Sequence, residues 1–363
     1  MRICLLTALL SVLRVAFVGD PQVDNEQELT YARKSIYSEL RNRKDLDLVV
    51  VLGDLVNEKP GLIAPSEASL DSIGCPWVRV NGNHDGPDPK KDTTFVQGGI
   101  RFILMDDVRR NRGYEGGLRE SQKVWLKNAL SLGPKEEKTV FCTHIPVSEC
   151  LGRDSLMAML SVKKGLLLVC GHTHIVQRSM VDGKVEEVMA GATCGTWWRG
   201  VKDKDGIPYA LMNCGSPRGY FVADFNPSRN EWYSLRYKAV LKDKNDMASA
   251  RISEDGRLTV NVFGGAPWGN LEVKDGCRWQ SMTNVHEVAP EVWEIIRFNM
   301  DKNREYRKAH KDEFMPMLRR QSSHIWAVDD FHCDNGKVKL RYSDPTMRFK
   351  TKIEVAFHPV STK

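Results

Sequence analysis

The sequence predicts a layered α/β domain at residues 14–225, with a sheet between helices, followed by a smaller β-rich domain at residues 226–363. Three observations carry this expectation. A chain of 363 residues exceeds the usual size of one hydrophobic core. Up to about Met189, short apolar runs alternate with segments of helical periodicity. From about Pro227 onwards, strand-like pieces follow one another, punctuated by Asp-Gly and Asn-Gly turns.

The first thirteen residues, "MRICLLTALLSVL", join one positive charge to an apolar stretch too short to span a bilayer. Residues 1–13 therefore read as a leader segment, and export to a periplasm or cell envelope is the expectation. The run leads straight into "RVAFVGD" with no small-x-small cleavage site, so a buried first strand in a cytoplasmic protein is the alternative. No integral membrane segment is expected.

The runs "VAFVG", "LDLVVVL", "WVRV", "RFILM", "TVFC" and "LLLVC" are rich in Val, Leu and Ile without polar alternation, as strands covered on both faces require. Between them, Leu29, Ala32, Ile36 and Leu40 recur at helical spacing, as do Leu126, Ala129 and Leu130 behind a start signal around Ser121. "SMVDGKVEEVM" reads as a hairpin turning at Asp182-Gly183. A Trp-containing link, "GATCGTWWRG", leads towards the second part. There "RLTVNVFGG", "NLEVKDGCRW", "HIWAVDDF" and "KVKLRYSD" read as strands of a small β-sandwich, with one charged helix at residues 291–311.

Charge and cysteine usage narrow the function classes. Lys and Arg number 53 against 47 Asp and Glu, a net charge of +6. The stretch most basic in appearance, from Arg297 to Gln321, alternates signs and reads as a solvated helical face, so no nucleic-acid partner is expected. The nine cysteines lack both the spacing of a disulfide scaffold and a metal-type pair. Cys142 and Cys170 lie inside apolar runs, where a thiol behaves as a small hydrophobe.

The chemistry gathers at the ends of the apolar runs. In order these are "GDPQ" with Asp20 and Gln22, "GDLVNE" with Asp54, "GNHD" with Asn83, His84 and Asp85, "CTHIP" with His144, and "GHTH" with His172 and His174. In a parallel α/β sheet the carboxyl ends of strands share one edge, so these side chains are expected to converge. Of nine histidines the first four all fall in these segments, while the other five lie after residue 280; packing alone does not produce that distribution. Carboxylate, imidazole and amide oxygen suit two divalent cations, and the absence of thiolate argues against a structural zinc site.

This ordered series resembles the calcineurin-like metallophosphoesterase superfamily over residues 15 to about 190. The Trp-rich link and β-rich tail are similar to a bacterial subgroup with an additional C-terminal domain. The resemblance implies a layered β-sandwich core flanked by helices. It also implies that one ion is held by Asp20, Gln22, Asp54 and His174 and the second by Asp54, Asn83, His144 and His172. His84 is then the residue beside the metals that protonates the leaving oxygen, and Asp85 orients its ring.

Two divalent ions, less the charges of Asp20, Asp54 and a bridging hydroxide, leave about one positive charge for a phosphate oxyanion. Hydrolysis of a small phosphomonoester or phosphodiester by that hydroxide is the expected reaction. Gln22 stands where the family pattern usually has His, which favours manganese, magnesium or iron over zinc. Trp198 and Arg199 are the candidates for the substrate wall, with Arg199 pairing an oxyanion; in the structural alternative, Trp197 and Trp198 pack against the second domain. The competing function is a binding scaffold of the same fold with a weakened metal site.

Overall fold

The structure is a computed structural model that describes residues 12–87, 91–110, 114–240, 247–333 and 335–358. The expected leader lies outside the described residues up to residue 11, and its last residue, Leu13, is the first of β1 (Leu13–Val18).

β1, β2 (Leu48–Val51) and β3 (Trp77–Arg79) pair in parallel. Between β1 and β2 runs a continuous helical body in which a π-helical turn at Arg33–Tyr37 joins α1 (Glu26–Ala32) to α2 (Ser38–Asn42). The side chains of Leu29, Ala32, Ile36 and Leu40 are all buried, as their spacing predicts. α3 (Ile63–Asp71) precedes β3.

A second sheet follows. β4 (Thr93–Gln97), β5 (Ile100–Leu104), β6 (Lys138–Cys142), β7 (Gly165–Cys170), β8 (Val176–Val181) and β9 (Val185–Ala190) lie in the order β4-β5-β6-β7-β9-β8. β8 and β9 form the expected hairpin; Asp182 and Gly183 both have positive φ, and the Lys184 N–H donates to the Val181 carbonyl at 3.1 Å, closing a three-residue connection. α4 (Glu120–Ser131) and α5 (Arg153–Leu160) cover the sheet. α4 starts one residue before the expected signal, behind Arg119, whose main-chain N–H donates to the Gln122 side chain at 3.1 Å.

The chain then returns to the first sheet through β10 (Gly219–Phe225) and β11 (Tyr233–Ala239), giving the order β11-β10-β1-β2-β3. The expected domain boundary at 225/226 therefore falls inside a hairpin, because β11 pairs along its whole length with β10.

The first domain is thus two facing sheets flanked by helices, the layered β-sandwich core that the resemblance implies, where the apolar runs alone suggested one sheet between helices. Alternation along the second sheet shows this. Phe102, Leu104, Val140, Cys142, Leu167 and Val169 share a core with β1, β2 and β10, and Phe102 meets Phe225 edge-on at 6.1 Å. Their neighbours Ile103, Phe141 and Leu168 point the other way, into a separate core with Leu126, Leu130, Leu156 and Leu160 of the two covering helices. β5, β6 and β7 are buried on both faces, which is why their runs carry no polar alternation.

The C-terminal part is a closed barrel, not a sandwich. It comprises β12 (Ala248–Ser253), β13 (Leu258–Val262), β14 (Asn270–Asp275), β15 (Arg278–Val288), β16 (Gln321–Val328), β17 (Lys337–Ser343) and β18 (Arg348–His358), in the order β12-β13-β16-β15-β14-β17-β18. Parallel pairing of β12 with β18 closes it. The expected single helix is two, α6 (Pro290–Asp301) and α7 (Arg304–Ala309); Lys302 turns extended and Asn303 caps the second.

Candidate metal centre

The five polar motifs follow β1, β2, β3, β6 and β7 directly, and the parallel strands deliver them to one place. Ligand atoms of Asp20, Asp54 and His144 lie within 4.8 Å of one another, all buried. His144 Nε2 is 3.3 Å from Asp54 Oδ2, 3.0 Å from Asn83 Oδ1 and 3.3 Å from His172 Nδ1. Asp20 Oδ1 is 4.0 Å from His174 Nε2. Within the last motif, His172 lies towards His144 and His174 towards Asp20.

Backbone strain marks the same residues. Asp20, Gln22, Asp54, His172 and His174 all have φ between 41° and 70°, a region costly for residues with a Cβ. Such cost is retained where surrounding bonds fix a function. Here the Asp20 carboxylate accepts the His172 N–H at 3.1 Å, Asp54 Oδ1 accepts the His84 N–H at 2.8 Å, and the Gln22 N–H donates to the Asp54 carbonyl at 2.8 Å. Gly82 has to be glycine, since a Cβ there would collide with Asp54 Oδ1.

Burial and mutual attraction set the charges at this site. Burial, and then the neighbouring Asp54 charge, push the Asp20 carboxyl well above its usual range, against the pull of His144. Burial also opposes charge on Asp54 and His144, but their mutual attraction prevails, lowering Asp54 and raising His144 to about 10. Burial above all lowers His172 to about 3 and His174 to about 4, which leaves them neutral and able to ligate. Two buried acids, the neutral imidazoles of His172 and His174 and an amide oxygen are donors that fit divalent cations, and His144 joins them on giving up its proton.

Gln22 is buried, its Nε2 directed at Asn57 Oδ1 (3.3 Å) and its Oε1 at the thiol of Cys194 (3.8 Å). Cys194 also lies 3.9 Å from His174 Nδ1. Burial and the Asp20 charge raise its pKa well above that of a free thiol, so it serves as a neutral neighbour. Cys194, in the Trp-rich link, was not anticipated; nor was Asp107, which is fully buried and accepts the main-chain N–H groups of His144 (3.2 Å) and Ile145 (3.3 Å).

Asp85 does not orient the His84 ring. Its carboxylate oxygens accept the N–H groups of Gly82 (2.8 Å) and Val56 (3.1 Å), so it ties the turn after β3 to the loop after β2. His84 Nδ1 instead faces Glu58 Oε1 at 3.4 Å. His84 is also flanked by the exposed ring of Tyr114 at 5.7 Å.

Trp198 is not a substrate wall: it is 2% exposed and its Nε1 donates to the Pro21 carbonyl at 2.9 Å, which braces the loop between Asp20 and Gln22. Its neighbour Trp197 is 39% exposed and lies over His174 at 5.1 Å. Consecutive positive φ values, 52° and 53°, turn the two indoles to different tasks. Arg199 is exposed on the same loop.

Residues 13–176 match the family model for calcineurin-like phosphoesterases, and residues 187–345 match the one for the C terminal of calcineurin-like phosphoesterase. A probable cyclic nucleotide phosphodiesterase of Synechococcus is 27% identical over 139 residues, which cover 35% of this chain and 53% of that protein. The chain thus spans about half the length of this curated relative. Among solved structures, a dimetal phosphatase from Danio rerio aligns with a TM-score of 0.43 at 14% identity, over 70% of this chain and 96% of that one. A 5'-nucleotidase from Candida albicans aligns with a TM-score of 0.42 at 9% identity, over 96% and 91%.

Proposed function

Since the chain belongs to the calcineurin-like phosphoesterases and carries their C-terminal domain, we propose that it hydrolyses phosphate esters with two divalent cations held by overlapping ligand sets. The buried meeting of Asp20, Asp54 and His144, with Asn83, His172 and His174 at its edge, carries this reading. One set is Asp20, Gln22, Asp54 and His174; the other is Asp54, Asn83, His144 and His172. When bound, the cations supply an activated water as nucleophile and positive charge towards the phosphoryl oxygens.

The protein's own groups do the rest. Asp107 and Leu52 fix His144, the first through its main-chain N–H and the second through a carbonyl 2.7 Å from Nδ1. His84, with Nδ1 turned to Glu58, presents Nε2 to the leaving oxygen and gives it a proton. Trp197 shields the His174 side from water, and Arg199 pairs an oxyanion of the substrate. The amide oxygen of Gln22 favours manganese, magnesium or iron over zinc. The Synechococcus relative puts phosphodiesters first among the substrates to be tried.

Metal analysis of the purified protein, followed by hydrolysis of chromogenic mono- and diesters with added manganese, tests this. Bound metal and turnover are expected. Protein that takes up no metal and turns over neither ester is a binding scaffold with a weakened site.

A further inference from the structure

The basic stretch near the C-terminal helices has no part in the reaction as described, and its charge is concentrated. Residues 302–320 hold seven Lys and Arg against three Asp and Glu, a surplus of four in a chain whose net charge is +6. Part of this surplus forms one wall of a cleft of about 520 Å³, whose lining includes Arg199, Arg307, Lys311, Asp312 and Phe314.

The cleft adjoins the metal centre through the Trp-rich loop. Trp197 lies on His174, and Arg199 is two residues further, within about 7 Å of backbone reach. The Gly200 N–H donates to the Asp312 carbonyl at 2.7 Å and so pins the segment around Lys311 to that loop. Arg307 is held in place: Nε donates to the Lys302 carbonyl at 3.0 Å, Nη2 to the Asn299 carbonyl, and the guanidinium lies over the Phe314 ring at 5.7 Å. Its Nη1 has no bond among the described residues. The side chains of Arg199 and Lys311 likewise enter no hydrogen bond or ion pair among the described residues. The one acidic group of the lining, Asp312, interacts with the Lys202 charge. Three cationic heads around one small cleft, with the whole fork of Arg199 and the Nη1 end of Arg307 still to be used, match a phosphate group.

We propose that this cleft is a second anion subsite, which takes a phosphate carried by the substrate some bonds away from the ester being cleaved. The proposal rests on the hydrolase reading above and names its substrate class: compounds with two separated phosphoryl groups.

A ruler of synthetic substrates tests it. Alkanediols of increasing length carry the scissile group at one end, as a monoester or a 4-nitrophenyl diester, and either a hydroxyl or a second phosphate at the other. The readout is the ratio of kcat/KM for the phosphate-ended to the hydroxyl-ended compound at each length, with the metal-loaded protein. The ratio should peak at one length, on the order of tenfold, and the peak should vanish in Lys311→Glu and shrink in Arg307→Gln; taking a ratio within each variant cancels any loss of folded protein. Turnover with a ratio near one at every length, or one that rises without an optimum and ignores Lys311, overturns the subsite alone. No turnover of either series overturns the hydrolase reading and the subsite with it.

Discussion

His84 is the one imidazole of the cluster that borders the carboxylates through its main chain while its ring faces Glu58 and Tyr114. In the mechanism proposed above, this ring acts on what leaves. His84→Ala should leave metal content unchanged, slow esters of poor leaving groups by about 10² to 10⁴-fold, and hardly slow 4-nitrophenyl esters. A plot of kcat against leaving-group pKa decides it: equal slowing across the series refutes proton donation. At this scale the sequence was most legible where chemistry sits on a strand end. Asp20, Asp54, Asn83, His144, His172 and His174 all follow parallel strands, and the facing of two sheets, β1 to β3 in one and β6 and β7 in the other, brings them together. Cys194, Asp107 and Glu58 were not legible, because their neighbours are set by loops whose path no period describes. Trp197 and Trp198 show the same limit, since adjacent left-handed residues decide which indole is buried and neither strand nor helix spacing foretells it.

The turn from Gly82 to Asp85 is a rigid bracket between two strand ends. Asp85 makes it so: one oxygen holds the Gly82 N–H and the other the Val56 N–H, both away from water. In Asp85→Asn one acceptor becomes an NH₂ group facing a main-chain N–H, which should lower stability by about 1–3 kcal/mol. Because Asp85 holds the bracket and not the ring, the leaving-group dependence of the remaining turnover should be unchanged. Denaturant unfolding read beside that dependence tests both halves, and a dependence like that of His84→Ala would restore Asp85 to the ring. Elements as a class were readable for a related reason. Strands buried on both faces give unbroken apolar runs, and the Asp182-Gly183 turn declares its own hairpin. Barrel closure was not readable: alternation and turn residues are the same in a sandwich, and only the pairing of β12 with β18, distant in sequence, separates the two.

The two facing sheets and the barrel are clasped by buried polar groups. Arg178 on β8, fully buried, donates to Glu186 on β9 at 2.5 Å and to Asp344 beyond β17 at 2.7 Å. Nearby, His324 on β16 is fully buried, with Nε2 3.1 Å from the Val176 carbonyl of β8 and Nδ1 2.8 Å from the Asn261 side chain. Burial pushes its pKa down to about 4 from a usual 6.5, only partly opposed by the main-chain bonds. A lowered imidazole means that the unfolded chain takes up a proton the folded one refuses, so stability is complete above about pH 6.5 and drains away as pH falls towards 4. The full loss is about 3 kcal/mol. The metal-site groups titrate too, so the measurement is a difference: unfolding free energy of wild type minus that of His324→Gln, from pH 7.5 to 4.5. That difference should shrink steadily over the window, because the variant lacks the titrating ring while sharing every other group. Parallel curves would mean that the ring takes up its proton alike in the folded and the unfolded chain, which refutes the neutral buried contact; a difference that grows as pH falls would mean that His324 is charged in the fold and that the barrel is held by an ion.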